Sequence, residues 1–468
     1  ILASGLVLLF QHLAQEFIFG FVGLNRLEET ALLFTPLLKL ASTMRVRYLE
    51  ERGAAFYGLH LVLLYAFVGV IFTILALVVY EKRHLETAGE VVTVPWVKPV
   101  FKYGVAFCAA ITFGTFLYRI TGLPQGPWTL LILLLLCGCA GYYAAEMLLR
   151  KSFRVIRDGW KGCAAVVLCL IAAVCTMEFD LAGFERRVPD PGRVVSAWID
   201  CPTMPYDGIS DGEVRLTQPE ELALLAQVHQ AAVDSKNLPY SYQYTDVDGV
   251  SVATHSTAAL SITYKLEDGS ILQRRYETLP VSQAELSDPG SLTSLLTALV
   301  NQPAVIERSY FPLRIFENAR LVDAEVTRLY GENGSGGSRE DYEGTVVPSA
   351  ALPELLEAVH SDIAAGRLGR RYLMVSQDRM DNCYLSDLRL IFRVYLGTED
   401  GENHPNNTSV TIGLEASATD TLSVLEKYGV ITDSAYPITH AEKERQDRAA
   451  KANTSEIDGD WEYVDGLS

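Results

Sequence analysis

The sequence predicts an α-helical transmembrane bundle followed by an α+β soluble domain. The first observation behind this fold class is an uneven distribution of charge. Residues 1–177 carry 15 Lys and Arg against 10 Asp and Glu, a net charge of +5, whereas residues 178–468 carry 24 against 47, a net charge of −23. The split excludes a single soluble globule and a chain that is disordered throughout. The positive excess is small and scattered among apolar runs, which argues against nucleic-acid binding.

The second observation is the length of the apolar runs. A helix needs about 20 predominantly apolar residues to cross a bilayer, and four runs meet that length: Tyr57–Tyr80, Val100–Tyr118, Trp128–Leu149 and Trp160–Met177. A fifth run, Ile1–Leu24, is interrupted by four polar residues that share one helical face, namely Gln11, His12, Gln15 and Glu16. Such a face on a spanning helix usually meets protein or a water-filled path, so these four are a candidate translocation face. The alternative interpretation is a partly interfacial helix.

Lys and Arg in the short loops predict the orientation of the spans. The loop Arg150–Lys161 holds five basic residues and one acid, so we expect it in the cytoplasm. The loop Glu81–Pro99 lies two crossings earlier and therefore on the same side. The turn Arg119–Pro127 has one basic residue and is predicted to lie outside. Residues 25–55 then also lie outside, in mild conflict with their five basic residues.

Four further expectations follow from the first 177 residues. By parity, everything after Glu178 is extracytoplasmic. The run Ala31–Leu40 is too short to span and is predicted to be a re-entrant or surface helix. Because the chain opens at Ile1 inside an apolar run, it is predicted to be a fragment that lacks one or more preceding helices. Glu146 is expected to pair with Arg150 four residues later, and the alternative is a proton relay.

Residues 178–435 carry local signals of an α+β domain with lobes at 190–330 and 338–435. In the first lobe, a capping box at Thr217–Glu220 opens a helix that ends near Val233, and a hairpin turns at Asp268-Gly269. Strands Leu260–Tyr264 and Ile271–Leu279 flank that turn, and a short helix follows at Ser291–Val300.

The second lobe repeats this order. It contains a helix, two strands around Asp400-Gly401 and a final helix: Pro353–Ala365, Asp387–Leu396, Thr408–Glu415 and Ala418–Tyr428. The repetition predicts two copies of an α-β-β-α unit joined at Gly331–Gly337, although short similarities also arise by chance. Residues 436–468 are predicted to be a charged, flexible tail.

The sequence contains no motif for catalysis or for cofactor binding. It lacks a P-loop, an H-E-x-x-H, a G-x-S-x-G and a dinucleotide fingerprint, so we expect a transport subunit rather than an enzyme, with no cofactor and no metal. His229 and His360 could form a symmetric metal pair, but they lie far apart in sequence with no second ligand beside either. They are interpreted as surface or packing residues on helices. Cys201 and Cys383 are compatible with a disulfide outside the cell, although a domain of this size needs none.

Three stretches carry a resemblance to a known family. The pattern Lys-Arg-x-x-Glu-x-Ala-Gly-Glu starts at Lys82, directly after one span and before the next. With the hairpin pattern of Leu260–Tyr276 and the Thr-rich strand and helix of Val410–Gly429, it resembles permease subunits of ABC-2-type bacterial ABC exporters, as found in Firmicutes. The similar members have a large C-terminal extracytoplasmic domain. The resemblance covers most of residues 57–430.

The resemblance implies a permease in the lipid bilayer of a bacterial cell membrane. Such a permease works with cytoplasmic ABC ATPase subunits and with a second permease subunit, identical or related. Relatives are associated with antibiotic-peptide resistance and envelope-stress responses, and six spans are typical. By position, the candidate ATPase-contact residues are Lys82, Arg83, Glu86, Gly89, Arg154 and Arg157. The resemblance assigns no substrate residue.

Two other function classes remain. A membrane-anchored sensor or scaffold would use the spans only to present an extracytoplasmic ligand-binding module, and the size of that module favours it. A membrane-tethered hydrolase is disfavoured, because the sequence shows no set of nucleophile, base and orienting residue.

Overall fold

The computed structural model describes residues 2–23, 30–49, 53–81, 97–124, 126–203, 214–312, 316, 319–327, 344–397 and 403–459. The chain folds into two compact units, residues 1–187 and 188–468. The first is helical and the second is built on two antiparallel sheets.

Within its described residues, the first unit contains four helices that are long and apolar enough to cross a membrane. Its main helices are α1 (Leu2–Phe17), α2 (Pro36–Thr43), α3 (Leu59–Glu81), α4 (Val97–Ile120), α5 (Pro127–Arg150) and α6 (Ile156–Glu178). Helices α3 to α6 confirm the four predicted apolar runs. Helix α1 extends over only 16 described residues, so a fifth crossing stays a prediction. A hairpin that the sequence analysis did not predict, β1 (Arg45–Leu49) with β2 (Gly53–Tyr57), follows α2.

Helices α4, α5 and α6 pack side by side, and α1 packs against α4 and α6. One core lies near the end of α1 and contains Leu13, Phe17, Tyr118, Leu130, Leu131, Leu133, Leu134 and Val174. A second core lies further along the three long helices and contains Ala106, Ala110, Tyr142, Cys163, Val166 and Leu170. Lipid tails are as apolar as these side chains, so close packing rather than water exclusion favours such an interface.

Helix α3 differs from the other three long helices. None of the residues in its apolar span is buried by another described part of the chain. Its contact with the region before it includes the Tyr65 hydroxyl, which donates to the carbonyl oxygen of Leu33 at 2.9 Å. A helix that is apolar on all sides is stable only in an apolar environment.

Residues 178–187 belong to the first unit, which therefore ends ten residues after the predicted boundary at 177. Asp180 has a positive φ of 45° and accepts hydrogen bonds from the backbone N–H groups of Phe184 and Glu185 at 2.6 and 3.1 Å. The buried Glu185 carboxylate accepts from the backbone N–H of Phe19 at 2.7 Å. These bonds fold the segment back onto the residues that follow α1.

The first lobe of the second unit is a five-stranded antiparallel sheet. Its strands are β3 (Val194–Asp200), β4 (Val214–Leu216), β5 (Gln243–Val247), β6 (Val250–Leu266) and β7 (Ile271–Ser282). Strand β7 pairs along one edge of β6, while β3 and β5 share the other edge. Helices α7 (Pro219–Asp234) and α8 (Leu292–Val300) pack against each other and against β3 and β7.

The second lobe has a four-stranded sheet in the order β11-β10-β8-β9. These strands are β8 (Arg320–Thr327), β9 (Thr345–Val346), β10 (Cys383–Gly397) and β11 (Asn403–Glu415). Three helices follow α9 (Pro303–Tyr310) in this lobe: α10 (Leu352–Ala364), α11 (Gln377–Asn382) and α12 (Thr419–Lys427). Helix α9 ties the lobes together. Its Tyr310 lies in the core of the second lobe, and its Arg308 pairs with Glu221 of α7 at 2.5 Å.

Most predicted elements of the second unit are present, with two local differences. The N-cap of α7 is Gln218 rather than Thr217, and the capping box closes on Glu221 rather than Glu220. The Glu221 carboxylate accepts from the N–H groups of both Thr217 and Gln218, which fixes this register. The β5–β6 hairpin was not predicted, although its turn, Asp248-Gly249, has the positive φ angles of a two-residue hairpin. The predicted turn at Asp400-Gly401 and the joint at 331–337 lie outside the described residues.

The segment expected to be a flexible tail contains helix α13 (His440–Gly459). Ala441 is fully buried beside Val250 and Val252 of β6. Glu444 accepts from the N–H of Ser251 at 3.0 Å, and Arg448 pairs with Asp246. A charged sequence is ordered here because its charges meet partners on the β5–β6 hairpin. Residues 460–468 lie outside the described residues.

Candidate functional site

The polar face predicted on α1 forms one cluster. Gln11 is buried, His12 is half-buried, and Gln15 and Glu16 are exposed. Nδ1 of His12 lies 3.3 Å from Oε1 of Gln15, and Nε2 of Gln15 donates to the carbonyl oxygen of Val22 at 3.1 Å. The buried Nε2 of Gln11 has no hydrogen-bond partner within the described ranges. This face is therefore polar, and only part of its hydrogen-bonding capacity is used by the described residues.

Arg119, at the end of α4, joins this cluster. Its guanidinium contacts Nε2 of His12 and lies 3.9 Å from a carboxylate oxygen of Glu16. Helices α1 and α4 therefore end at the same end of the bundle, with a cation beside the polar face. Sequence reasoning counted Arg119 only as a basic residue of a turn. The overlooked signal was a cation at the end of an apolar run, where its side chain can contact a polar group on a neighbouring helix.

A second charged centre lies at the opposite end of α4 and is built around Glu146. The Glu146 side chain is only 5% exposed, and one carboxylate oxygen lies 2.7 Å from Nε of Arg150, which confirms the predicted pair. The other oxygen lies 3.3 Å from Nζ of Lys102 on α4. Lys102 also donates to the Tyr142 hydroxyl at 3.4 Å. Two cations hold this carboxylate, which favours an ion pair over a proton relay.

Sequence reasoning missed Lys102. It is the one charged residue within the run Val100–Tyr118, just as Glu146 is within Trp128–Leu149. Charged residues inside membrane spans usually face the bundle interior and pair with each other. The contact could have been predicted, because a lone Lys and a lone Glu occur in adjacent antiparallel spans. Each of them lies near a loop that is predicted to be cytoplasmic.

Small residues allow the three long helices to approach closely. On α4 they repeat every four residues, at Ala106, Ala110 and Gly114. A methyl group added at Gly141 of α5 would overlap Cβ of Ala109 and lie 3.2 Å from the carbonyl oxygen of Val105. A methyl group added at Gly162 of α6 would overlap the Tyr142 hydroxyl. The position of Tyr142, and with it the contact to Lys102, therefore depends on Gly162, whereas Gly141 sets the distance between α4 and α5.

The basic turn between α5 and α6 lies beside the Glu146 centre. Arg154 and Arg157 are exposed there, and Lys151 ends α5 in a left-handed conformation with φ of 51°. The Ser152 hydroxyl accepts from the backbone N–H of Arg154 at 3.2 Å. The other candidate ATPase-contact residues lie outside the described residues: Lys82, Arg83, Glu86 and Gly89.

The two histidines singled out in the second unit lie in different environments. His229 is fully buried, with Nδ1 3.1 Å from the Tyr264 hydroxyl and its ring stacked on Tyr264. Burial, and then the charge of Arg274, lower the pKa of His229 to about 4. His360 is half-buried, with its ring 4.9 Å from that of Phe311, and it pairs with Glu307 at 2.9 Å. No group of three His, Cys, Asp or Glu side chains among the described residues is arranged to hold a metal ion.

The cysteines of the second unit are free thiols in this structure. Cys201 is half-buried and Cys383 is buried. Burial raises the pKa of both thiols to about 12, so both are held as unreactive thiols at neutral pH.

Comparison with known proteins identifies no relative. No protein-family model matches the chain. No curated protein and no solved structure matches it either.

Proposed function

We propose that the chain is a multi-pass membrane protein, the permease subunit of an ATP-driven ABC exporter in a bacterial cell membrane. The observation that carries the proposal is the buried Glu146 carboxylate between Lys102 and Arg150. Burying a charge among apolar helices is costly, and such charges in membrane domains usually serve function. This one joins α4 to α5 beside the exposed Arg154 and Arg157.

The ion pair couples the basic turn to the bundle. Arg150 is the last residue of α5, and Glu146, one turn earlier, contacts Lys102 on α4. The same turn leads into α6. A shift imposed on Arg154 and Arg157 from the cytoplasm would therefore move three helices together, as rigid packed elements do. The sequence has no P-loop, so a separate ATPase chain would supply that shift.

Two further features support a permease. Helix α3 is apolar on all sides and is not buried by the described parts of the chain, as expected for a helix that faces lipid and a second permease subunit. At the other end of the bundle, Gln11 and His12 with Arg119 offer polar groups to a translocated molecule. Charge supports the orientation, because the basic turn would be cytoplasmic and the acidic second unit extracytoplasmic.

The specific test is co-purification in a mild detergent, with bound subunits identified by mass spectrometry. We expect a P-loop ATPase and a second permease subunit. The double variant Arg154→Glu/Arg157→Glu should lose the ATPase and keep its unfolding temperature. The matched control is Arg275→Glu, which reverses an exposed charge in the second unit. Loss of the ATPase in the control as well, or its retention in the double variant, would contradict the assigned contact.

The second candidate function is a membrane-anchored sensor or scaffold. A cavity in the second unit, described below, favours it. If no ATPase co-purifies while the chain still binds a ligand through that unit, the sensor replaces the exporter.

We also propose that the two lobes of the second unit arose by duplication. The strand orders β4-β3-β6-β7 and β9-β8-β10-β11 place corresponding strands in the same positions. A helix precedes each long hairpin and another follows it, and the two helices pack together in both lobes. The repeated unit is then β-β-α-β-β-α, longer than the α-β-β-α unit predicted from the sequence. Sequences of related chains test this, because duplicated positions should prefer the same residue classes in both lobes.

A further inference from the structure

A cavity of about 710 Å³ opens in the second lobe of the second unit. Its lining includes Tyr384 of β10, Leu422 and Glu426 of α12, and Ile431, Asp433 and Tyr436 from the segment after α12. Volumes of about 300–1,000 Å³ are typical of small-molecule sites. The lining combines aromatic and aliphatic surface with two carboxylates, and no described residue that lines it is a cation.

Backbone hydrogen bonds hold the walls in place. After α12 the chain turns at Gly429, which has a positive φ of 72°. The N–H and carbonyl groups of Thr432 and Ala435 then bond to each other at 2.9 and 3.0 Å. Further along, Leu385 of β10 donates to the carbonyl oxygen of Ile438 at 2.9 Å. The cavity is therefore formed before any ligand arrives.

Among the described residues, no cation pairs with the two carboxylates of the cavity. Neither Glu426 nor Asp433 has a side-chain ion pair or hydrogen bond within the part of the chain that the structure describes. The neighbouring Lys427 is engaged elsewhere, with Nζ 2.6 Å from the Glu354 carboxylate. Burial, followed by the negative charges of Glu442 and Glu426, raises the pKa of the Tyr384 hydroxyl. The negative charge of Glu426 therefore acts on Tyr384, one of the aromatic residues that line the cavity.

We propose that this cavity binds a small organic cation, an ammonium ion with an apolar body. The carboxylates of Glu426 and Asp433 attract the charge, and the faces of Tyr384 and Tyr436 hold it by cation–π interaction. Leu422 and Ile431 contact the apolar body. Anions are disfavoured, because the described lining offers two carboxylates and no cation to balance a negative charge. The site does not depend on the exporter proposal, since it uses residues of the second unit alone.

The test is isothermal titration of the full chain in an uncharged detergent. The probes are choline, benzyltrimethylammonium, and 3,3-dimethylbutan-1-ol, which is the neutral isostere of choline. We expect choline to bind about tenfold or more tightly than the alcohol, because the two carboxylates and the tyrosine rings attract only the charged probe. Benzyltrimethylammonium should bind more tightly than choline, because its ring adds apolar contact.

Variants assign the binding to this cavity. Glu426→Gln and Asp433→Asn should each weaken choline binding about fivefold and leave binding of the alcohol unchanged. Glu220→Gln removes an exposed carboxylate from the first lobe and is the control. All three positions are exposed, so the variants should unfold at the temperature of the unmodified chain.

Three results would overturn the proposal. They are equal binding of choline and its isostere, loss of binding in Glu220→Gln equal to that in Glu426→Gln and Asp433→Asn, and failure of both cations to bind. The comparison of choline with its isostere needs no variant, so the outcome does not depend on how the variants fold. The same preparation is also tested for a co-purified ATPase. If the ATPase is present while neither cation binds, the cavity proposal fails and the exporter proposal stands.

Discussion

Nζ of Lys102 lies 3.3 Å from the carboxylate of Glu146, and the two side chains are 22% and 5% exposed. Arg150 binds the same carboxylate at 2.7 Å with a side chain that is 46% exposed. The two cations are therefore not equivalent. The carboxylate lies inside the bundle, Lys102 reaches it from the neighbouring helix, and Arg150 reaches it from its own helix.

Removing Lys102 should destabilise the bundle more than removing Arg150. Lys102→Met leaves the buried Glu146 short of its interhelical partner, at a cost of about 3 kcal/mol in the free energy of unfolding. Arg150→Met removes a half-exposed partner and should cost less than about 1 kcal/mol. Thermal unfolding in mild detergent measures both. The double variant Lys102→Met/Glu146→Leu should recover stability relative to Lys102→Met, because no buried charge is left. A double variant less stable than Lys102→Met would contradict the ion-pair account.

Gly141 should not tolerate a methyl group. Gly141→Ala would force Cβ into Ala109 and should cost about 1–3 kcal/mol through displaced helices. Gly104→Ala is the control on α4, since a methyl group there meets no atom within 4 Å. It should be neutral or stabilise the helix, because Ala favours helix more than Gly does. If both variants lower the unfolding temperature equally, packing at Gly141 is not the cause of the destabilisation.

The second unit should be reachable from outside the cell. Thr278→Cys places a thiol at an exposed position of β7, and Arg154→Cys places one in the basic turn. A membrane-impermeant maleimide should label the first variant in intact cells, and the second only after permeabilisation. The unmodified chain corrects for native cysteines. The reverse labelling pattern would invert the orientation argued from the basic loops.

His229 should make the stability of the second unit fall in acid. Its pKa is about 4 in the folded chain, below the ordinary value of 6.5, because it is buried against Tyr264 and Tyr276 near the charge of Arg274. The unfolded chain therefore binds more protons between those two values. The contribution of neutral His229 to the free energy of unfolding is complete above pH 6.5. It is lost as the pH falls towards 4, by at most about 3 kcal/mol.

Unfolding of the chain at several pH values, followed by tryptophan fluorescence, tests this dependence. His229→Phe should be less stable at pH 7, where the bond to Tyr264 is lost, and should show a shallower fall between pH 6.5 and 4. His360→Phe is the control, because that imidazole is partly exposed beside Glu307 and is not fully buried as His229 is. An equally steep fall in His229→Phe would show that other groups cause the pH dependence.

Local patterns predicted the helices and the long hairpins well, and side-chain partners poorly. The capping signals around Pro219, the turn at Asp268-Gly269 and Gly429 depend on neighbours in sequence, and each is present in the fold. Lys102 and Arg119 were missed because their partners lie on other helices. Helix α13 was expected to be flexible because its charges were considered without the Asp246 and Ser251 that bind them.

The sequence by itself determined the two units, the four apolar helices and the pairing of Glu146 with Arg150, because hydropathy, charge balance and helical period act over short stretches. Only the tertiary structure decided that Lys102 meets Glu146, that Arg119 meets the polar face of α1, and that carboxylates and tyrosines line an open cavity beside α12. These arrangements depend on how distant segments approach, and close packing at small residues such as Gly141 sets that approach.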